Sequence, residues 1–449
     1  MFDRILVANR GEIARRVIGT CHRLGIEAVA VYSEADANAL HVREADEAVL
    51  LGPAPPVHSY LNAARVVEAA VSAGAQAVHP GYGFLSEDAD FARAVAAASL
   101  VWVGPSPKAL EAMGDKVSAR NMMASAGVPV AAGTTEPLSD VEAAVAAASE
   151  VGYPLMVKAA AGGGGIGMGT ATDEASLRAA FATAQARAER FFGSATILLE
   201  RYLAGARHVE VQVLGLADGQ VVALGERDCS VQRRHQKVAE ECPSPAVGPE
   251  LRARMLKAAV AAASAVDYRG AGTVEFLLDP VADKFVFLEM NTRLQVEHPV
   301  TEMVYGLDLV EAQLRIAAGQ DLGFDPAQLM PAGHAIELRV YAEDPVRFLP
   351  GPGAITAWSQ PTGDGVRVDA GYGDGDTVTP HYDPLLAKLC VWGSDRDQAL
   401  ARARTAVADF TIKGPKTNLA FFVELLDNPA YQSGDYDTSL IATMRSGKT

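Results

Sequence analysis

Residues 289–299 read Glu-Met-Asn-Thr-Arg-Leu-Gln-Val-Glu-His-Pro, packing an acid, an amide, a guanidinium and a second acid directly behind an apolar run. Arg293 can fork onto a planar oxyanion, and Glu297 is placed to act as a general base. Just upstream, Glu275 lies in Gly-Thr-Val-Glu-Phe-Leu-Leu-Asp (272–279) and Glu289 in Lys-Phe-Val-Phe-Leu-Glu-Met-Asn (284–291). Both stretches read as strands, joined by a hairpin-like turn at 279–283. Strand alternation can then aim one carboxylate from each toward a shared face. Two carboxylates beside a nucleotide suit Mg2+, a hard ion that prefers oxygen ligands, and Asn291 points the same way as Glu289. Alone, the two acids read better as solvated strand carboxylates than as a metal site; the polar cluster behind them shifts the reading to a site.

Three further stretches carry chemistry. The glycines 162–165 and Gly167, with Ile166 between them, follow a strand at 154–159 that contains Lys158. Glycine lets backbone N–H groups approach phosphate closely, and the lysine adds a point charge. The lysine precedes the glycines, so this is not a P-loop, and a plain flexible connection stays open. The run 226–237 (Glu-Arg-Asp-Cys-Ser-Val-Gln-Arg-Arg-His-Gln-Lys) is the strongest basic cluster in the chain and reads as an anion site following a strand. Cys229 within it is read as a buried structural thiol. His-Pro-Gly-Tyr-Gly-Phe-Leu-Ser-Glu (79–87) ends a strand, where loops commonly face a ligand crevice, although a rigid turn serves as well. Arg10-Gly11-Glu12 is taken as ordinary strand-to-helix geometry.

These residues need a scaffold. In the first hundred residues, apolar runs at 5–8, 27–32, 48–51, 75–79 and 100–103 alternate with amphipathic stretches such as 12–24 and 63–73. That alternation implies a parallel sheet covered by helices. From 114 to 203 the pattern is a helix at 116–126, a strand at 128–131, a helix at 140–151 and the strand before the glycines, a small unit suited to a lid. Beyond 204, strands at 208–214, 221–226, 273–278 and 284–290 mix with helices at 249–266 and 307–318, and two helices near 395–410 and 415–427 close the chain. The expected division is 1–113, 114–203 and 204–449, in keeping with a length of 449 residues.

Composition narrows the function. Lys plus Arg total 39 against 55 Asp plus Glu, a net charge of −16, which repels nucleic acid phosphates. An anionic substrate must therefore be met by local basic groups. The four cysteines form no C-x-x-C pair, which suits a reducing compartment. The N-terminus lacks an apolar signal core, and the apolar runs are too short to span a bilayer. The expectation is a cytoplasmic protein with no membrane or nucleic acid partner.

In order and spacing, Ala-Asn-Arg-Gly-Glu-Ile-Ala (8–14), the 79–87 and 226–237 runs, 289–302, and Arg-Val-Tyr-Ala-Glu-Asp-Pro (339–345) resemble the biotin carboxylase family along essentially the whole chain. The resemblance implies an α/β and α+β protein of ATP-grasp fold, with an N-terminal parallel-sheet domain, a small mobile lid and a C-terminal mixed domain. It implies ATP, Mg2+ or Mn2+, bicarbonate as substrate and biotin as the carried substrate. It further implies a biotin carboxyl carrier protein and carboxyltransferase subunits as partners, a homodimer, and work within an acyl-CoA carboxylase such as the acetyl-CoA carboxylase of fatty acid biosynthesis. By motif, Lys116 and Lys158 would contact the nucleotide phosphates along with Gly163, Gly164 and Gly165. Glu200 and Leu203 would frame adenine, and His208, Gln232, His235 and Lys237 would line the γ-phosphate region. Glu275, Glu289 and Asn291 would hold the metal. Arg293, Gln295 and the Val296 backbone would bind bicarbonate, Glu297 would deprotonate it, and Arg339 would stabilise the enolate-like oxygen of biotin.

Two positions depart from the family pattern. Ile166 and Gly169 stand where basic residues are usual, so the lid is expected to hold ATP more weakly. The chain ends at Thr449 without a Met-Lys-Met biotinylation signature, from which a free-standing subunit acting on a separate carrier is expected. The competing readings are another ATP-grasp carboxylate–amine ligase and a catalytically weakened nucleotide-binding subunit.

Overall fold

The computed structural model describes residues 1–160, 168–192 and 195–446. Gly163, Gly164, Gly165 and Ile166 lie outside the described residues.

The N-terminal strands are β1 (Arg4–Val7), β2 (Glu27–Ser33), β3 (Glu47–Gly52), β4 (Ala77–His79) and β5 (Val101–Trp102). They form one all-parallel sheet in the order β3-β2-β1-β4-β5. Their continuous apolar character follows from burial on both faces; Ile5, Leu6, Val7, Ala28, Val29 and Ala30 are wholly inaccessible. The order reverses beside β1, so the loops leaving β1 and β4 open onto one crevice.

The lid is a three-stranded antiparallel sheet of β6 (Leu155–Ala159), β7 (Gly169–Ala171) and β8 (Ile197–Arg201), in the order β7-β6-β8. Helices Val141–Val151 and Glu174–Phe192 cover it, and Ala144, Leu155, Val157, Phe181 and Leu199 form a core of its own. The expected strand at 128–131 is not there. Val130 makes only a single bridge to Phe287, and the Pro129 carbonyl accepts the Phe287 N–H at 2.7 Å. Proline has no N–H to extend a ladder, and the Val128 N–H is already spent on the Met123 carbonyl at 3.0 Å.

The largest sheet has eight strands. In sequence they are β9 (Arg207–Gly215), β10 (Val221–Arg233), β11 (Gln236–Cys242), β12 (Gly270–Asp279), β13 (Lys284–Asn291), β14 (His334–Tyr341), Val366–Ala370 and Leu385–Gly393. In space they run β13-β12-β9-β10-β11-β14, then Leu385–Gly393 and Val366–Ala370, antiparallel throughout. One end packs on helix Pro249–Ser264 through residues such as Val211, Met255 and Phe276. The other packs on helices Arg396–Asp409 and Leu419–Leu426 through Leu338, Leu389, Ala403 and Phe422. The sheet thus runs without a break from Glu275 on β12 and Glu289 on β13 to Arg339 on β14.

The basic run does not follow a strand, as its sequence suggested; it is the second half of β10, the turn and the start of β11. Arg233 pairs with Gln236, leaving Arg234 and His235 as a two-residue turn with φ of +50° and +69°. Positive φ at both central positions is the twist-matched hairpin geometry, usually given to Asn and Gly.

Candidate functional site

A cleft of about 980 Å³ lies where the lid, the large sheet and the N-terminal loops meet. It is lined by Lys116, Lys158, Glu200, Leu203, His208, Gln232, His235, Lys237, Glu275, Glu289, Asn291, Arg293, Gln295, Val296 and Arg339. These positions span more than two hundred residues of sequence, and the fold brings all of them to one cavity. Glu297 is the exception: it is wholly buried and sits behind Lys237 and Arg339.

Lys237, at the start of β11, is the hub. Its Nζ donates to Glu210 Oε2 at 2.6 Å, Glu297 Oε1 at 2.7 Å and Glu275 Oε1 at 2.9 Å. Burial alone would lower its pKa, but the three carboxylates hold it well above the usual lysine value. Arg227, fully buried, donates from Nε to Glu210 Oε1 at 2.6 Å and from Nη1 to Gln212 at 2.7 Å. Arg339 Nη2 lies 2.9 Å from Glu297 Oε2 and 2.6 Å from Glu240 Oε1. Burial pushes the Glu297 carboxyl up, yet Lys237, Arg339 and Arg227 outweigh it and hold the group well below the carboxylate range. Glu297 is therefore ionised and ready to accept a proton, and its basicity is set by how firmly those cations hold it.

Glu275 and Glu289 face one another directly across β12 and β13. Burial and Lys237 act in opposite senses on Glu275; Lys237 and His208 prevail and keep it ionised. Glu289 is shifted upward by burial and then by Glu275, and it makes no hydrogen bond or ion pair among the described residues. Like charges opposed in a ladder destabilise it unless a cation intervenes. His208, Glu210 and Glu275 also gather ligand atoms within 4.8 Å of one another, but the Lys237 ammonium already sits against both acids of that trio. The place still short of positive charge lies between Glu275 and Glu289, with Asn291 beside it. Those oxygen donors fit a hard divalent ion. Lys116 faces the same acid: burial lowers its pKa and Glu289 opposes the shift.

Arg293 donates from Nε to Glu87 Oε2 at 2.9 Å and from Nη1 to Gln295 Oε1 at 2.9 Å. Gln295 Nε2 in turn reaches Glu275 Oε1 at 3.2 Å and Asn291 Oδ1. The guanidinium is thus held from two sides, and Arg293 is linked through Gln295 to Glu275 and Asn291. Lys388 donates to the Val296 carbonyl at 3.1 Å, pinning that backbone. On the lid, Lys158 pairs with Glu200 across β6 and β8. His208 Nδ1 is bonded to Gln232, and its Nε2 lies 2.8 Å from Glu275 Oε2. Tyr82, Gly83 and Phe84 of the 79–87 loop and Arg10 also line the cleft. Arg10 grips Asp36 through Nε and Nη2 at 2.7 and 2.8 Å, so its segment does more than start a helix. The Cys229 thiol is fully buried and raised well above its usual value by burial and then Glu210, as a structural thiol should be.

Sequence reading missed Glu210, Glu240, Arg227 and Glu87, the acids and the arginine that hold the named residues in place. One signal was present: His208, Glu210 and Gln212 alternate with valines along β9, placing three polar groups on one face of an otherwise apolar strand.

A nucleotide-sized cleft, roofed by a small lid and floored by an antiparallel sheet with opposed acids, defines a ligase of the ATP-grasp type. Comparison with known proteins places it more closely. Residues 1–110 match the family model for the biotin carboxylase N-terminal domain, 337–443 that for the biotin carboxylase C-terminal domain, and 115–324 that for the ATP-binding domain of carbamoyl-phosphate synthase L chain. Biotin carboxylase 2 of Bacillus subtilis is 51% identical over 441 residues, 98% of this chain and 99% of that one. The mitochondrial methylcrotonoyl-CoA carboxylase subunit alpha of Oryza sativa is 49% identical over 98% of this chain and 60% of its own length. Among solved structures, Campylobacter jejuni biotin carboxylase in a β,γ-ATP complex has a TM-score of 0.96 at 43% identity, covering 99% of both chains. The biotin carboxylase domain dimer of Hydrogenobacter thermophilus 2-oxoglutarate carboxylase, with MgADP and bicarbonate, has 0.95 at 43% identity, covering 99% and 98%. The chain belongs to the biotin carboxylase family.

Proposed function

We propose that this protein carboxylates biotin held on a separate carrier protein, using ATP and bicarbonate, and releases ADP and phosphate. The observation that carries it is the chain Lys237–Glu297–Arg339, which joins the γ-phosphate side of the cleft to its far end through one buried base. Bicarbonate is a feeble nucleophile, so orientation by Arg293, Gln295 and the Val296 backbone supplies much of the rate. As the anion settles, it competes with Glu297 for Lys237 and Arg339. That loosens their hold on the carboxylate and raises its affinity for the proton it must take. The deprotonated substrate attacks the γ-phosphorus, giving carboxyphosphate and ADP. Lys116, Lys158, His235 and Lys237 stabilise the charge that spreads over the transferring phosphoryl group. A divalent ion, Mg2+ or Mn2+, held by Glu275, Glu289 and Asn291, would neutralise the triphosphate. Carboxyphosphate then yields carbon dioxide and phosphate; phosphate takes the ureido proton, and the nitrogen captures the carbon dioxide. Arg339 stabilises the negative oxygen that biotin develops as it loses that proton.

The proposed arrangement is an N-terminal domain (1–113), a lid with its linker (114–203) and a core with C-terminal domain (204–449). The enzyme is proposed to be cytoplasmic and homodimeric and to serve a carboxyltransferase, acetyl-CoA of fatty acid synthesis being the acceptor to test first. No helix among the described residues is long and apolar enough to cross a membrane.

The test is a bicarbonate-dependent ATPase assay with free biotin, repeated on Glu297→Ala and Arg339→Ala. Loss of biotin-stimulated turnover in both is expected; wild-type rates in both would reject the assignments. ADP release that needs an amine rather than biotin would favour the carboxylate–amine ligase. The lid is proposed to bind ATP weakly for want of basic groups at Ile166 and Gly169. Ile166→Arg should lower the KM for ATP about ten- to a hundredfold, the worth of one charge-assisted bond.

A further inference from the structure

Behind Arg339, on the side away from the cleft, lie two acids that the reaction as described does not use. Glu240 on β11 and Glu337 on β14 are direct cross-strand partners, 1% and 0% exposed. Arg339 Nη2 touches Glu240 Oε1 at 2.6 Å without hydrogen-bond alignment, and Glu240 Oε2 has no hydrogen-bond partner among the described residues. Glu337 Oε2 accepts the Cys390 thiol at 3.3 Å, while its Oε1 is likewise unpartnered. Two ionised carboxylates with idle oxygens, buried side by side, are costly, and one proton between them removes both problems.

We infer that Glu240 and Glu337 share a single proton, carried on Glu337 and donated toward Glu240, and that this pair is a positioning device that keeps one negative charge behind Arg339. Burial, opposed by Arg339 for Glu240 and by Lys388 for Glu337, shifts both groups upward, in the sense the inference needs. Glu240 sees Arg339 from β14, Lys237 from its own strand and Glu297 from the turn before helix His298–Tyr305. The Cys229 thiol on β10 and the buried Tyr431 hydroxyl also lie within the field of Glu240. Glu337 sees Lys388 and Cys390 from strand Leu385–Gly393, Arg339 from its own strand, and Glu240 and Glu297.

The consequence concerns biotin and rests on the proposed role of Arg339. With one proton in the pair, Arg339 is held by Glu297 and one further negative charge and keeps positive field for the developing ureido oxygen. When the pair loses that proton, a second negative charge appears behind the guanidinium and its pull on biotin weakens. The pair titrates as a unit, so the loss reads as one macroscopic step on the alkaline side.

The test is the pH dependence of kcat/KM for free biotin in the wild type and in Glu337→Gln, whose amide donates toward Glu240 and never ionises. The alkaline fall should move upward by about one pH unit or more, the effect of a like charge within a few ångströms. The shift should appear in kcat/KM for biotin and not in KM for ATP. In wild-type enzyme alone, the infrared carbonyl band of a protonated carboxyl should vanish over the same pH interval as the fall; a band that persists through the fall overturns the inference. So does a Glu337→Gln profile that superimposes on the wild type while Arg339→Ala is crippled. Wild-type biotin kinetics in Arg339→Ala would instead reject the underlying role of Arg339.

Discussion

Glu297, proposed as the base, shows how a residue singled out in the sequence acquires its properties from neighbours that sequence does not flag. Its carboxylate is ionised because three cations surround it, and two of those cations also face the cleft. Glu297→Gln keeps the shape and loses the base, so kcat for bicarbonate-dependent ATP cleavage should fall about 10²–10⁴-fold, the usual worth of a positioned base. KM for ATP should hardly move, because Glu297 does not line the nucleotide cavity; an initial-rate assay at saturating bicarbonate separates the two. The residues proposed to touch substrate were legible because they are polar types crowded against apolar strands. Glu240 was not, because an acid that serves another side chain looks, in sequence, like any acid on a strand.

At the scale of elements, buried parallel strands announced themselves as apolar runs, and β1 to β4 fall where those runs lie. The second half of β10 did not, because its charges are satisfied inside the sheet: Arg227 by Glu210, Asp228 by Arg207. A strand whose polar groups are paired on both faces shows no alternation to read. Pro129 misled in the opposite direction, sitting in an apolar run that cannot extend a ladder. One buried contact tests how these elements are tied together. Glu241 on β11 binds His334, Arg396 and Tyr436, joining the sheet to helix Arg396–Asp409 and the C-terminal segment. Burial raises its carboxyl, but His334 and Arg396 bring it down to about 2. A depressed acid stabilises above its unfolded value, about 4.3, and that contribution is lost as pH falls toward about 2. Glu241→Gln should therefore cost about 3–5 kcal/mol at neutral pH in urea titrations. The gap from wild type should narrow as the solution is acidified below about 4.

The whole molecule is built from units with unequal anchorage. The lid has a separate core, so damage there should stay local. Phe181, 2% exposed at the centre of that core, tests this. Phe181→Ala should cost the lid about 3–5 kcal/mol and speed amide exchange in β6 to β8. Protection in β9 to β13 should stay at the wild-type level, and KM for ATP should rise.

All four cysteines are buried. Burial pushes the Cys21 and Cys242 thiols up to about 12, and Cys229 and Cys390 well above the usual thiol value. A thiol that does not ionise is a poor nucleophile, so the folded protein should leave a colourimetric disulfide reagent unconsumed until denaturant is added. The enzyme is thus chemically quiet toward maleimide dyes. Two cysteines placed at exposed sites, one replacing Ala179 on the lid helix and one replacing Val281 in the β12–β13 turn, would carry the only reactive sulfurs among the described residues. A fluorophore pair there would turn lid closure over ATP into a distance read one molecule at a time, with no native residue removed to silence a background.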